Sequence, residues 1–211
     1  MVRNSVRGTV AAVLVAVSAT GCTSSARDDG GNGGKAAPEP RAAAESVMKG
    51  GSVGGSGSAC ALPVTFDLAA SWKPAAVQPV EDEALSELGE QGPVTLVCEI
   101  DAKPAGNIGY LQVWTGDGTD DTPRQVLEAL LAADPNAAEA TYTEVEAGSL
   151  AAAEVGYRVS SELLDEPKKE RAFAVTTPSG PVVVHLGGLD SREHEEMLPA
   201  YELAKKSVRL G

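Results

Sequence analysis

Few side chains in this sequence could support catalysis or bind a metal, and its two histidines come first among them. His185 lies in an apolar run, whereas His194 is surrounded by glutamates, of which Glu193 is one. A histidine beside a carboxylate can act as a general acid or base in hydrolysis. A zinc site, however, needs several ligands at close spacing, which neither histidine has. We therefore expect both histidines to be structural or surface residues and keep a histidine–carboxylate hydrolase as the alternative.

A serine nucleophile and a calcium loop are the other chemistries to consider. Ser179 stands between proline and glycine, which is typical of a turn and not of the elbow of a nucleophilic serine. Asp117, Asp120 and Asp121 form a carboxylate-rich loop, and Ca²⁺ prefers such hard oxygen ligands. Aligned with an EF-hand loop from Asp117, however, Thr122 takes the place of the required glycine. Turn and capping roles explain these residues, so we assign no catalytic, cofactor-binding or metal-binding residue.

Trp72 and Trp114 could line a ligand pocket, because small-molecule sites are rich in aromatic and apolar side chains. Aromatic residues make up only 4% of the chain. With so few of them available, we expect both tryptophans to be used in core packing.

Cys22 is the cysteine with the most distinctive context. Arg3 and Arg7 precede an apolar run over residues 10–17, which is far shorter than the ~20 residues of a membrane-spanning helix. A basic start, a short apolar run and a small-residue cleavage site are typical of an export signal. The small residues before Cys22 resemble a bacterial lipobox, in which the cysteine is lipidated and becomes the mature N-terminus. We predict a signal peptide over residues 1–21 and a lipid anchor at Cys22, on the outer face of the cytoplasmic membrane.

Export leaves Cys60 and Cys98 as a pair in an oxidising compartment, where disulfides form and persist. A two-thiol metal site is the competing explanation, but neither cysteine has a second Cys or His within a few residues. We therefore predict a disulfide between Cys60 and Cys98.

Composition divides the exported chain into a tether and one domain. Residues 23–58 are rich in Gly, Ala, Ser and Pro and contain no aromatic residue, so they bury too little apolar surface to offset chain entropy. All Phe, Trp and Tyr residues lie after residue 60. We expect a lipidated flexible tether over residues 22–59 and a folded extracytoplasmic domain over residues 60–211. The net charge of −13 would repel nucleic acid, which excludes that class of partner.

Residue patterns within the domain alternate between strand and helix periods. Capping sequences predict a helix from Thr122 and a closing helix after Asp190, and a shorter helix is indicated over residues 81–88. The stretches with strand or hairpin patterns are residues 94–101, 108–115, 140–146, 153–160, 171–177 and 182–186. The charged segment 162–170 is expected to be an exposed connection. Adjacent strands with few helices predict an α+β domain in which helices cover an antiparallel sheet.

This order of elements resembles the Mog1/PsbP-like α/β/α sandwich and, within it, the LpqN-type lipoproteins of actinobacteria. The matching pieces are residues 66–68 shortly before Trp72, the helix from Thr122, the hairpin over 172–186 and the closing segment over 198–210. The resemblance covers residues 60–211 as a pattern and includes no diagnostic motif. It implies an accessory or partner-binding role and supplies no site residues.

The function expected from these features is that of a non-enzymatic, lipid-anchored lipoprotein of the bacterial cell envelope. Its partner would be an unknown envelope protein or a small apolar ligand. The anchor, the tether, the cysteine pair and the lack of a catalytic motif all favour this hypothesis. The alternatives are an envelope hydrolase with a histidine–carboxylate site and a purely structural surface protein.

The Cys22→Ser substitution tests the predicted anchor. It should release the protein from the membrane fraction without unfolding residues 60–211, because the lipidated cysteine lies outside the predicted domain. Membrane fractionation measures attachment, and circular dichroism of the purified variant measures folding. Persistent membrane attachment of the variant would contradict the lipid anchor.

Overall fold

The computed structural model describes residues 47–78, 89–118, 120–161 and 165–211. The predicted signal peptide, the predicted anchor at Cys22, most of the predicted tether and the predicted helix over 81–88 lie outside these residues. Among the described residues, no helix is long and apolar enough to cross a membrane.

The strands and helices follow one another in an order close to the expected one. The strands are β1 (Lys49–Val53), β2 (Val64–Ala69), β3 (Lys73–Ala76), β4 (Glu90–Gln91), β5 (Val94–Asp101), β6 (Gly109–Thr115), β7 (Ala137–Ala147), β8 (Leu150–Val159), β9 (Lys168–Thr177), β10 (Gly180–Gly188) and β11 (Arg209–Leu210). The helices are α1 (Pro123–Ala132) and α2 (Ser191–Ser207), and a short 3₁₀ helix covers Lys103–Ala105.

These strands form a large and a small antiparallel sheet. The large sheet has the order β3-β5-β6-β10-β9-β8-β7, with β4 also paired to β5. The small sheet has the order β1-β2-β11. The expected α+β class with an antiparallel sheet covered by helices is therefore confirmed.

The large sheet buries side chains on both faces. Along β10, Val184 and Leu186 belong to one hydrophobic core and Val183 belongs to the other, as the alternation of a strand requires. The core with Val183 also holds the apolar stripe of α1, which is Val126, Leu127, Leu130 and Leu131. The opposite core holds the buried side of α2, which is Met197, Ala200, Tyr201 and Ala204. We name the two sides of the sheet the α1 face and the α2 face.

Local sequence explains where both helices begin. Thr122 accepts a hydrogen bond from the backbone N–H of Gln125, and the Gln125 side chain accepts one from the Thr122 N–H, which completes a capping box. Asp190 accepts bonds from the backbone N–H groups of Arg192 and Glu193 at 2.9 and 2.8 Å. The two predicted capping sequences are therefore correct.

The folded part of the chain begins before Cys60, and the expected tether boundary is wrong on this point. Strand β1 lies inside the Gly-rich segment and pairs with β2, and Val53 is 1% exposed. Gly54, with φ of 101°, brings the chain close against the backbone of Val64. Backbone pairing and close approach stabilise this segment, and neither depends on the apolar side chains by which composition identifies a core.

Cys60 and Cys98 form the predicted disulfide, and their Cα atoms are 5.9 Å apart. Both residues are buried, and the bond links the chain after β1 to the large sheet. The cross-link spans a sequence separation of 38 residues. In the chain-entropy account, closing a loop of this length in the unfolded state stabilises the fold by about 4 kcal/mol.

Alanine substitutions at two glycines test whether the N-terminal strand belongs to the fold. A Cβ at Gly54 would lie 1.9 Å from the Val64 carbonyl oxygen, so Gly54→Ala should lower the free energy of unfolding by more than about 1 kcal/mol. A Cβ at Gly51 would meet nothing within 4 Å, so Gly51→Ala serves as the control and should be close to neutral. Urea denaturation of the full chain measures both. Equal stability of the two variants would show that this strand contributes nothing.

Candidate functional site

Five polar side chains form a row across the α1 face of the large sheet. The antiparallel register places Glu99 opposite Gln112 and Gln112 opposite His185. One step along the sheet, Tyr157 is opposite Glu170. Strand alternation directs the side chains of Gln112, His185, Tyr157 and Glu170 to the same face, because each of them lies two residues along its strand from a side chain of the α1-side core. We name this set the polar row.

Glu170 is the centre of the polar row and accepts hydrogen bonds from three side chains. His185 Nε2 lies 2.8 Å and the Tyr157 hydroxyl 3.1 Å from its Oε2 atom. Lys168 Nζ lies 2.6 Å from its Oε1 atom. Glu170 is only 8% exposed, and a buried carboxylate is costly unless it is paired and hydrogen-bonded. These three donors meet that requirement.

The partners of His185 define which protons its ring must carry. Gln112 Nε2 donates to Glu99 Oε1 at 2.9 Å, so Gln112 Oε1 is the atom that faces His185 Nδ1, at 3.2 Å. An amide oxygen and an ionised carboxylate both accept hydrogen bonds and donate none. A ring nitrogen of His185 can therefore complete its contact in the row only by donating a hydrogen bond. A neutral imidazole leaves one of the two contacts without a proton.

Burial and the charges in and beside the polar row shift the pKa values of Glu170 and Tyr157. Burial by itself raises the pKa of Glu170, but the charges and hydrogen bonds of His185 and Lys168 outweigh it and lower the pKa to about 2. Burial also raises the pKa of Tyr157 well above its ordinary value, and the Glu170 carboxylate adds to that effect. At neutral pH the phenol thus keeps its proton and donates a hydrogen bond to an ionised Glu170.

A cavity of about 410 Å³ lies over the polar row. Gln112, Lys168, Glu170 and His185 line its polar part. Its apolar part consists of Ile108, Tyr110 and Leu189, which are 56%, 42% and 51% exposed. The side chains thus combine an apolar rim with a charged floor, and we name the space the His185 cavity.

The two histidines do not form one site. His185 is part of the α1 face, whereas His194 lies in the first turn of α2, on the other side of the sheet, and is 3% exposed. Burial lowers the pKa of His194 to about 4, and the positive charge of Arg171 adds to this shift. Ser179 lies in the turn between β9 and β10, where its N–H donates to Thr177 Oγ1 at 3.1 Å. It takes the turn role expected from its sequence.

The remaining candidates also have identifiable places. Trp72 and Trp114 are 6% and 7% exposed and belong to the α2-side and α1-side cores, which confirms the prediction of core packing. Asp117, Asp120 and Asp121 lie in the loop before α1. Among the described residues, no three His, Cys, Asp or Glu side chains come together as metal ligands.

Glu170 is the central residue that the sequence analysis missed. The segment 162–170 was expected to be an exposed connection, which is wrong for its end, because β9 begins at Lys168 and Glu170 is buried. A signal was present, since Glu170 alternates in phase with Ala172 and Ala174. The partner that makes its burial possible, His185, is supplied by the next strand, and no local pattern identifies it.

Acid unfolding tests the paired state of Glu170. Its pKa falls from the ordinary 4.5 to about 2 on folding, so its stabilising contribution is complete above about pH 4.5 and is lost as the pH falls towards 2. Glu170→Gln should cost on the order of 3 kcal/mol at pH 7 and should flatten the pH dependence below about 4.5. Urea denaturation over this range provides the measurement.

Glu128→Gln is the matched control, because Glu128 forms an exposed pair with Arg124 on α1. It should retain the acid dependence of the wild type. In all three proteins His194 adds a separate loss between about pH 6.5 and 4, because its pKa is lowered by folding. If Glu170→Gln loses stability below about pH 4.5 as steeply as the wild type does, the paired state of Glu170 is contradicted.

Comparison with known proteins gives one matching family and similar solved structures. A family described as uncharacterised lipoprotein matches residues 31–208. Among solved structures, cyanobacterial PsbP (CyanoP) from Synechocystis is 14% identical with a TM-score of 0.48, covering 76% of this chain and 98% of that chain. LpqN of Mycobacterium tuberculosis, described as involved in cell envelope biogenesis, is 15% identical with a TM-score of 0.40, covering 70% and 82%. No curated protein sequence matches the chain.

The two structures are of PsbP and LpqN, the proteins named in the sequence resemblance. At this level of similarity they carry nothing about function. The family match is the stronger finding, because it extends over most of the chain. The chain belongs to the uncharacterised lipoprotein family.

Proposed function

We propose that this lipoprotein is a non-enzymatic binding protein, lipid-anchored on the outer face of the cytoplasmic membrane, and that its ligand occupies the His185 cavity. The observation that carries the proposal is the combination of an apolar rim with a charged floor, in which the buried Glu170 carboxylate is hydrogen-bonded on both of its oxygens. Ligand sites are typically concave and mostly apolar, with a small number of fixed polar groups. The His185 cavity has this composition, and its volume of about 410 Å³ suits a small molecule.

The apolar rim supports binding because its residues are exposed although they are large and hydrophobic. Ile108, Tyr110 and Leu189 are three of the five such residues in the described part of the chain, and all three line this one cavity. A cluster of exposed apolar side chains marks a surface that another molecule covers. The rim would bind the apolar body of the ligand.

The charged floor supports a ligand that also carries a hydrogen-bond acceptor. The ammonium of Lys168 has three donors, of which one bonds Glu170 and another bonds the Gly188 carbonyl oxygen at 3.0 Å. The third can donate to a ligand. Lys168 is thus the cation of the floor that faces a ligand. We therefore favour an amphipathic ligand with an anionic or carbonyl group.

The hydrogen bonds of His185 support binding over hydrolysis. A catalytic histidine must contact the group whose proton it takes, and its second nitrogen is fixed by a carboxylate. Here Nε2 bonds Glu170 and Nδ1 bonds Gln112, so both nitrogens have partners within the polar row. The fixed ring serves to hydrogen-bond Glu170 and to shape the floor of the cavity.

Binding of 8-anilino-1-naphthalenesulfonate, which joins aromatic rings to an anionic group, tests the proposal. The full chain carrying Cys22→Ser should enhance the fluorescence of this probe through one site. Leu189→Asp should weaken the binding at least about tenfold, or about 1.4 kcal/mol, because it places a charge on the apolar rim and repels the sulfonate. Leu210→Asp is the matched control, since Leu210 is also 51% exposed but does not line the cavity.

Two results would contradict the proposed function. Equal affinity of the probe for the Leu189→Asp and Leu210→Asp variants would show that the probe binds elsewhere. Hydrolysis of p-nitrophenyl esters that is lost on His185→Gln would support the hydrolase instead.

A further inference from the structure

A second cavity, of about 270 Å³, lies on the α2 face of the large sheet, opposite the His185 cavity. Arg171 shows which face this is, because it lies two residues before Phe173 of the α2-side core. Two residues of the polar row, Tyr157 and Glu170, reach its edge, and the other lining residues are Glu139, Thr141, Gly156, Arg158, Lys169, Arg171 and His194. We name this space the basic cavity.

Gly156 leaves the floor of the basic cavity open. It is not among the described residues with positive φ, and an added Cβ would meet nothing within 4 Å. Neither the backbone nor close packing therefore requires a glycine here, although glycine in a strand is less stable than alanine. Such a glycine often marks the place where a ligand approaches the backbone closely.

Three cations surround the space over Gly156. The register of β8 and β9 places Arg158 opposite Lys169 and Gly156 opposite Arg171. Like charges directly opposite each other on paired strands destabilise a sheet. The cluster also stands out in a chain whose net charge is −13. A bound anion would offset the repulsion between the three cations.

The carboxylates that partner two of these cations are held loosely. Glu139 contacts Arg158 at 3.1 Å, and Glu195 contacts Lys169. The side chains of Glu139 and Glu195 are 73% and 56% exposed. Exposed ion pairs of this kind contribute little to stability, so an anion that enters the cavity displaces them at little cost.

Arg171 has the least compensated charge of the three. Its guanidinium is 4.0 Å from Glu202, whose carboxylate is already bonded by Lys205 at 2.8 Å. The neighbouring His194 adds no positive charge at neutral pH, because burial and Arg171 itself lower its pKa to about 4. Arg171 is therefore the residue on which an anion would depend most.

We infer that the basic cavity binds a phosphate group, supplied either by a phospholipid headgroup or by a soluble phosphate ester. Guanidinium groups match phosphate oxygens with two parallel hydrogen bonds, and Arg158 and Arg171 present two such groups beside the open floor. The Lys169 ammonium adds a point charge. A lipid-anchored domain is held close to headgroups, and an exported one also meets soluble esters. Glu170 lines both cavities, but the three cations lie on the opposite face from the His185 cavity, so this inference does not depend on the function proposed for that cavity.

Two titrations of the full chain carrying Cys22→Ser test this inference. Inorganic phosphate is titrated by calorimetry, and sedimentation measures binding to phosphatidylcholine vesicles with and without phosphatidic acid. Binding should be weakened at least about tenfold by Arg171→Gln, which removes the charge, and by Gly156→Leu, which fills the cavity. Arg171→Lys keeps the charge and should retain part of the affinity.

The controls match the two kinds of variant. Arg124→Gln removes an exposed arginine from α1, and Gly51→Leu fills open space beside a strand glycine of β1. Both should bind as the wild type does. If circular dichroism shows that Gly156→Leu fails to fold, Arg158→Gln takes its place as the second loss variant.

The two arms identify the source of the phosphate. Binding to phosphatidic acid vesicles without binding to inorganic phosphate supports a lipid headgroup, and the reverse supports a soluble ester. The inference is overturned if the wild type binds in neither arm. It is also overturned if Arg171→Gln binds as tightly as Arg124→Gln.

Discussion

Burial of the large sheet on both of its faces is the constraint on which the rest of the structure depends. Along β9, Phe173 packs into the core under α2, whereas Ala172 and Ala174 pack into the core under α1. The central strands therefore have no row of side chains that faces solvent throughout. Any charged residue in their interior must find its partners within the protein, because an unpaired buried charge is costly.

Each face meets this requirement with its own set of partners. On the α1 face, Glu170 is hydrogen-bonded by His185 and paired with Lys168, and the unfilled space beside them forms the His185 cavity. On the α2 face, Glu154 accepts hydrogen bonds from Tyr201 at 2.8 Å and from Lys205 at 2.7 Å. The second set joins a strand to a helix, so it fixes the position of α2 on the sheet. The first joins strand to strand and leaves room for a ligand.

The N-terminal segment connects this sheet system to the predicted anchor. Strand β1 adds an edge to the small sheet, and the disulfide then links the following chain to β5. Any tether that starts at Cys22 must therefore end before Lys49, not at the boundary expected from composition.

The sequence by itself determined the elements whose signals are local. Alternation in residues 94–101, the capping box from Thr122 to Gln125, and the capping residue Asp190 predicted strand β5 and both described α-helices, because each signal involves residues only a few positions apart. The cysteine count likewise predicted the disulfide. Strand β1 was missed, because its stability comes from pairing with β2 and not from its own side chains.

Only the tertiary structure decided the two candidate sites. Glu170 and His185 meet through the register of β9 and β10, and Arg158, Lys169 and Arg171 meet through that of β8 and β9. Register is set by the turns and by the packing of both faces, which no short stretch of sequence contains. The sequence thus predicted a lipid anchor and indicated the class of fold that the chain adopts. Strand pairing alone determined which of its charged side chains come together.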